Sequence, residues 1–159
     1  MGGRRIKRSI HIDLMSISFC DRDMLECLMK IDLVHDYVES YLNRIEQFLS
    51  EKGNQVDSPL DGLQVTNLSV FRAYIEAYLR NHPALHQEEM VLLVRELAPG
   101  QTGLPVEIHV FTKTVEGIKY ETIQADIFDH LLAATSHFDL RVFQDPTGSD
   151  FSTIIHPGH

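Results

Sequence analysis

The chain has 159 residues, 43% of them hydrophobic and 23% charged, with a formal net charge of −9. That suits one domain with a real core and an appendage, and the acidic balance argues against general nucleic-acid binding, which needs clustered Lys and Arg. The longest apolar run, residues 90–94, is far short of the roughly 20 residues that span a bilayer. Only Cys20 and Cys27 occur, without CxxC spacing; this excludes a zinc or dithiol motif and fits a reducing compartment.

In chain order, residues 4–14 form a strand by parity. Ile6, Ile10, Ile12 and Leu14 fall on one side; Arg5, Lys7, Ser9, His11 and Asp13 fall on the other. Arg8 breaks the apolar side. The cluster Arg4, Arg5, Lys7 and Arg8 is a solvated face or a contact for anionic headgroups or acidic protein. It leads into a strand, not into the long apolar segment of a signal peptide. A strand this close to the first residue suggests a piece cut from a longer protein.

Residues 15–20 reverse the parity, as at a bulge or strand end. Asp21 is placed to cap a helix with Met24, Leu25, Leu28 and Ile31 inward, which buries Cys27 as a free thiol. Asp32 is placed to cap a second helix. Its stripe of Val34, Tyr37, Val38, Tyr41, Leu42, Ile45, Phe48 and Leu49 must pack on the core or on a partner subunit, and Gly53 stops it. Residues 54–61 are a polar linker. Asn67 is placed to cap a third helix that ends before Pro83, with Val70, Phe71, Tyr74, Ile75, Tyr78 and Leu79 on one face.

Residues 90–96 read as a strand buried on both faces. A loop follows in which Gly100 and Gly103 are free to take positive φ. Val106, Ile108 and Val110 alternate along the return strand. A last helix covers residues 117–136 with Ile123, Ile127, Phe128, Leu131 and Leu132 inward, and residues 140–143 close the sheet. The order is α+β: a ferredoxin-like βαββαβ sheet with an inserted helical pair between the first strand and the first core helix. The divisions are 1–14, the first strand and what precedes it; 15–61, the helical insertion; 62–146, the α/β unit; and 147–159, a mobile tail. Strand 89–96 falls at an edge, so the insertion, the tail or a neighbouring subunit should cover it.

Chemistry is sparse. Asp126 and His130 lie four apart on a helix, and His82 and His86 stand near Glu88 and Glu89; each set is a weak metal candidate beside the plainer reading of solvated side chains. The loop APGQTG lacks the GK[ST] ending of a phosphate loop and joins two strands. No GxSxG motif or paired general acid and base stands out. No catalytic, cofactor-binding or metal residue is assigned.

Four blocks carry a resemblance: GGRRIKRSIHID, NLSVFRAYIEAYLRNHP, MVLLVRELAPGQTGLPVEIHVFTKT and YETIQADIFDHLLAATSHFDLRVFQDPTG, in that order. Together they resemble the cytoplasmic C-terminal part of the small-conductance mechanosensitive channel (MscS-like) family, miniconductance subgroup. The similarity spans residues 2–148, is most specific over 123–148, and is loosest over 22–60. It implies the vestibule and assembly domain of a tension-gated ion channel that releases solutes on osmotic downshock. Its full-length form would be a homoheptamer in the bacterial inner membrane, with this domain on the cytoplasmic side. It implies no enzyme activity and no cofactor. The membrane helices, the pore and most of a preceding β domain are absent, with GGRRIKRS at the junction, so this segment does not conduct. A ferredoxin-like regulatory domain that binds a small molecule is the alternative.

Overall fold

The computed structural model describes residues 2–53 and 62–145. Its elements are strand β1 (Arg4–Ile12), helices α1 (Arg22–Leu28), α2 (His35–Lys52) and α3 (Asn67–Arg80), strands β2 (Leu93–Glu96) and β3 (Leu104–Thr112), and helix α4 (Gly117–Ala134). The protein is α+β, with a three-stranded antiparallel sheet in the order β1-β3-β2. β1 pairs with β3 over its full length, from Arg4 opposite Thr112 to Ile12 opposite Leu104.

The parity expected of β1 is met: Ile6, Ile10 and Ile12 are buried, and they meet the inner residues Val106, Ile108 and Val110 of β3 in one core. The core also takes in Phe71, Ile75 and Leu79 of α3, Ile127, Phe128 and Leu131 of α4, and Leu25, Leu28, Val34, Val38 and Leu42 from the helical pair. The stripe on α2 thus packs on its own domain through its first turns. Farther along, Leu49 is exposed and lines an open groove with Phe19, Leu25 and Leu63.

Several boundaries differ from expectation. β1 stops at Ile12, two residues early, because the Asp13 carboxylate accepts from Met15 N and starts a 3-10 turn over Leu14–Ser16. Asp21 caps α1, accepting from Met24 N at 2.8 Å. Cys27 points outward and is exposed, while Cys20 is the buried thiol. Asp32 opens a 3-10 turn, Asp32–Val34, and α2 starts after Val34 without a side-chain cap. Gly53 ends α2 at φ 62° as expected. Thr66, not Asn67, caps α3: its hydroxyl accepts from Ser69 N at 3.0 Å. Asn67 is fully buried instead. Its Nδ2 donates to Ser16 O and Asp139 O, and its Oδ1 accepts from Ser18 N.

The 90–96 strand is shorter and wetter than expected. Only Leu93–Glu96 is strand, and Val91 and Leu93 are exposed. The chain reaches the sheet edge twice: residues 84–86 bond to the end of β3, then the segment leaves and returns at Leu93. An edge strand whose outer face lies open cannot be buried on both sides. In the loop that follows, only Gly103 has positive φ, at 85°. A 3-10 turn, Thr135–Phe138, prolongs α4, and Leu132 points outward.

The expected closing strand is a single bridge. Val142 lies opposite Ile12 on the free side of β1, with Asp13 N donating to Arg141 O and Phe143 N to His11 O. The turn at left-handed Asp139 (φ 56°) brings the chain to β1 only at residues 141–143. The expected linker 54–61 and the tail beyond residue 145 lie outside the described residues.

Candidate functional site

The four-residue spacing of Tyr74, Tyr78 and His82 places them along one side of α3 and its exit turn, facing α4. The His130 ring stacks on Tyr78 with centroids 4.2 Å apart and 5° between planes. The Tyr74 hydroxyl lies 2.6 Å from His130 Nε2; it donates when that nitrogen is unprotonated. His82 meets Tyr78 edge-on at 5.9 Å. Burial raises the phenol pKa of Tyr74. It raises that of Tyr78 too, with Tyr74 and the Asp126 carboxylate adding to it. Burial lowers the His82 pKa, against the opposing pull of Asp126.

The two sets of metal candidates therefore partly converge, since Asp126 and His130 of α4 and His82 all surround Tyr78. They do not form a ligand cluster. Among the described residues no three His, Cys, Asp or Glu side chains gather in a metal-holding arrangement. His86 is directed elsewhere: its Nε2–H donates to Gly2 O at 2.8 Å, and its Nδ1 lies 3.7 Å from the Glu89 carboxylate. Next to His130, a half-open cavity of about 290 Å³ is lined by Ile31, Tyr74, Ala133, Ala134, His137 and Phe138. Its walls offer aromatic stacking and imidazole nitrogens, but no nucleophile poised on a base.

The basic run divides between the two faces of the sheet. Arg4 and Arg8 lie on the helix side, with guanidinium carbons 4.0 Å above the Tyr120 ring and 4.4 Å above the Phe128 ring. This explains how Arg8 sits on the apolar side of β1: its stem packs inward and its charge rests on an aromatic face. Arg5 and Lys7 lie on the opposite side. Across the register, Arg5 is beside Phe111, Lys7 beside His109 and Ser9 beside Glu107; on the other side of β3, Leu93 is beside His109 and Arg95 beside Glu107. Arg95 Nε donates to Glu107 Oε1 at 3.0 Å. His109 Nε2 is buried with no hydrogen-bond partner. Burial, then Lys7 and Arg5, hold its pKa below the ordinary histidine value.

Sequence reasoning placed Tyr74 and Tyr78 on the apolar face of α3 but did not see their role as a platform for His130. The four-residue spacing was the available signal. The pairing with α4 was not, because it depends on how two helices cross. No protein-family model matches the chain.

Proposed function

We propose that the chain is the cytoplasmic vestibule and assembly domain of a mechanosensitive channel resembling the small-conductance family. It would be a non-enzymatic, non-conducting wall segment that works as a homoheptamer beneath a pore in the bacterial inner membrane. The observation that carries the reading is the ordered set of four motif blocks across residues 2–148. The architecture supports it. A sheet in the order β1-β3-β2, with residues 141–143 bridged to the free side of β1, is what a ferredoxin-like βαββαβ unit gives when its last strand shrinks to one bridge. No helix among the described residues is long and apolar enough to cross a membrane, so any pore would come from a preceding part of the gene.

The deciding experiment is to read the gene upstream of Gly2. Membrane-spanning segments are expected there, and their absence overturns the channel reading. The second reading, a regulatory domain for a small ligand, is favoured by the cavity beside Tyr74 and His130. Thermal-shift screening separates the two, because one metabolite that strongly raises Tm would favour the regulatory domain.

A further inference from the structure

We infer that the open face of the sheet seats a second copy of this chain, which lays the outer side of its α4 across it. The inference rests on the assembly reading and names the surfaces that would carry it.

α3 and α4 both pack on the inner face of the sheet, through Val94, Ile108 and Ile6 among others. The opposite face carries Arg5, Lys7, Leu93, Arg95, His109 and Phe111. Antiparallel sheets do show one face to water, but such a face is normally polar throughout. This one mixes half-buried Phe111 and His109 with Leu93, which is 40% exposed. In a chain of net charge −9 it is also cationic: Arg5 and Lys7 make no ion pair among the described residues, and Glu107 is taken by Arg95. The unpartnered His109 Nε2 lies at its centre. A buried polar atom without a partner is costly, and a docked partner would relieve that.

The complementary surface is on the same molecule. α4 is apolar on two sides: Ile127, Phe128 and Leu131 face the core, while Ile118, Ala125 and Leu132 are exposed along the other side. The outer three lie seven residues apart, so they form one narrow apolar stripe on the solvent side of the helix, which a partner could cover. Exposed Glu121 and Asp129 flank that outer stripe, so its charge is opposite to that of the sheet face. The lengths agree as well. The nine residues of β1 extend about 30 Å at strand rise, and the eighteen of α4 about 27 Å at helical rise. The contact joins two different patches, so it propagates from copy to copy and closes into a ring when the rotation allows.

A charge-exchange experiment tests this. One variant carries Arg5→Glu and Lys7→Glu; the other carries Glu121→Lys and Asp129→Lys. All four positions are exposed, and circular dichroism checks that both variants fold. Analytical ultracentrifugation at low salt should show that the wild type associates and that each variant alone does so at least about tenfold more weakly, since like charges then meet. An equimolar mixture of the two variants should associate again, because each then offers the face that the other lacks. If the wild type associates but the variants do so equally well, or the mixture shows no recovery, this interface is wrong and the assembly reading stands. A wild type that stays monomeric at millimolar concentration overturns this interface and self-assembly of the segment by itself, while the channel reading still turns on what the gene encodes upstream of Gly2.

Discussion

Asn67 offers the sharpest test of how the fold is held. It is fully buried at the start of α3 and its side chain makes three hydrogen bonds: to Ser16 O at 3.0 Å, to Asp139 O at 3.3 Å, and from Ser18 N at 3.0 Å. Two loops that never touch in sequence, the exit of β1 and the exit of α4, are thus fastened to one helix. Replacing Asn67 with leucine keeps the branched shape, at a larger volume, and removes all three bonds. At about 1 kcal/mol net for each bond, rising where a stranded backbone group stays dry, the loss is about 3–5 kcal/mol. For a chain of this length that lowers Tm by about 6–20 °C. Asn67→Asp keeps the acceptor for Ser18 N but turns a carboxylate toward two carbonyl oxygens. Its penalty should be larger at pH 7 than at pH 4, where the group protonates. Urea unfolding of the three proteins measures both effects. A loss below about 1 kcal/mol for Asn67→Leu, with an unchanged m value, would show that the three bonds do not fasten the loops.

Other outcomes follow from single sites. Gly103→Ala should cost about 2–4 kcal/mol in a denaturant melt, because its φ is +85° and a Cβ would lie 2.4 Å from Ile12 O; Gly100→Ala, with nothing within 4 Å, should be near neutral. Maleimide labelling at pH 7 should modify exposed Cys27 rapidly and spare buried Cys20, whose thiol is pushed up to about 11 by burial and then Asp21; equal rates would show that Cys20 is open to solvent. His82 and His109 titrate below the ordinary histidine value in the folded protein, so the unfolded chain binds more protons. Stability should then fall as pH drops from about 6.5 toward those lowered values. His82→Phe should flatten that slope in melts taken between pH 7 and 5, and an unchanged slope would remove His82 as a contributor.

What the sequence made legible was what local pattern encodes. The alternation of Ile6, Ile10 and Ile12 fixed the inner face of β1, Asp21 and Gly53 marked helix ends, and the repeat along α4 found Ile127, Phe128 and Leu131. The misses share a cause. Thr66 and Asn67 are both good caps, and only the loops packed around Asn67 decide that its side chain turns inward while Thr66 takes the cap. Residues 90–94 look fully buried because apolarity does not say which sheet position a strand will hold. Residues 140–143 look like a strand, but the preceding turn at Asp139 limits their meeting with β1 to one bridge. The Tyr74–His130 pair was out of reach for the same reason, since its partners are 56 residues apart.

The pairing of β1 with β3 also has a meaning in time. Arg4 lies opposite Thr112 and Ile12 opposite Leu104, so about a hundred residues separate the halves of the central ladder. At a synthesis rate of roughly 5–20 residues per second, β1 leaves the ribosome about 5–20 seconds before its partner exists. For that interval it is an unpaired strand with Ile6, Ile10 and Ile12 exposed, the kind of segment that adds to other nascent chains. The cations interleaved with those isoleucines, Arg4, Arg5, Lys7 and Arg8, repel a second copy laid alongside. They guard the strand while the chain is unfinished, before Arg4 and Arg8 have the rings of Tyr120 and Phe128 to rest on.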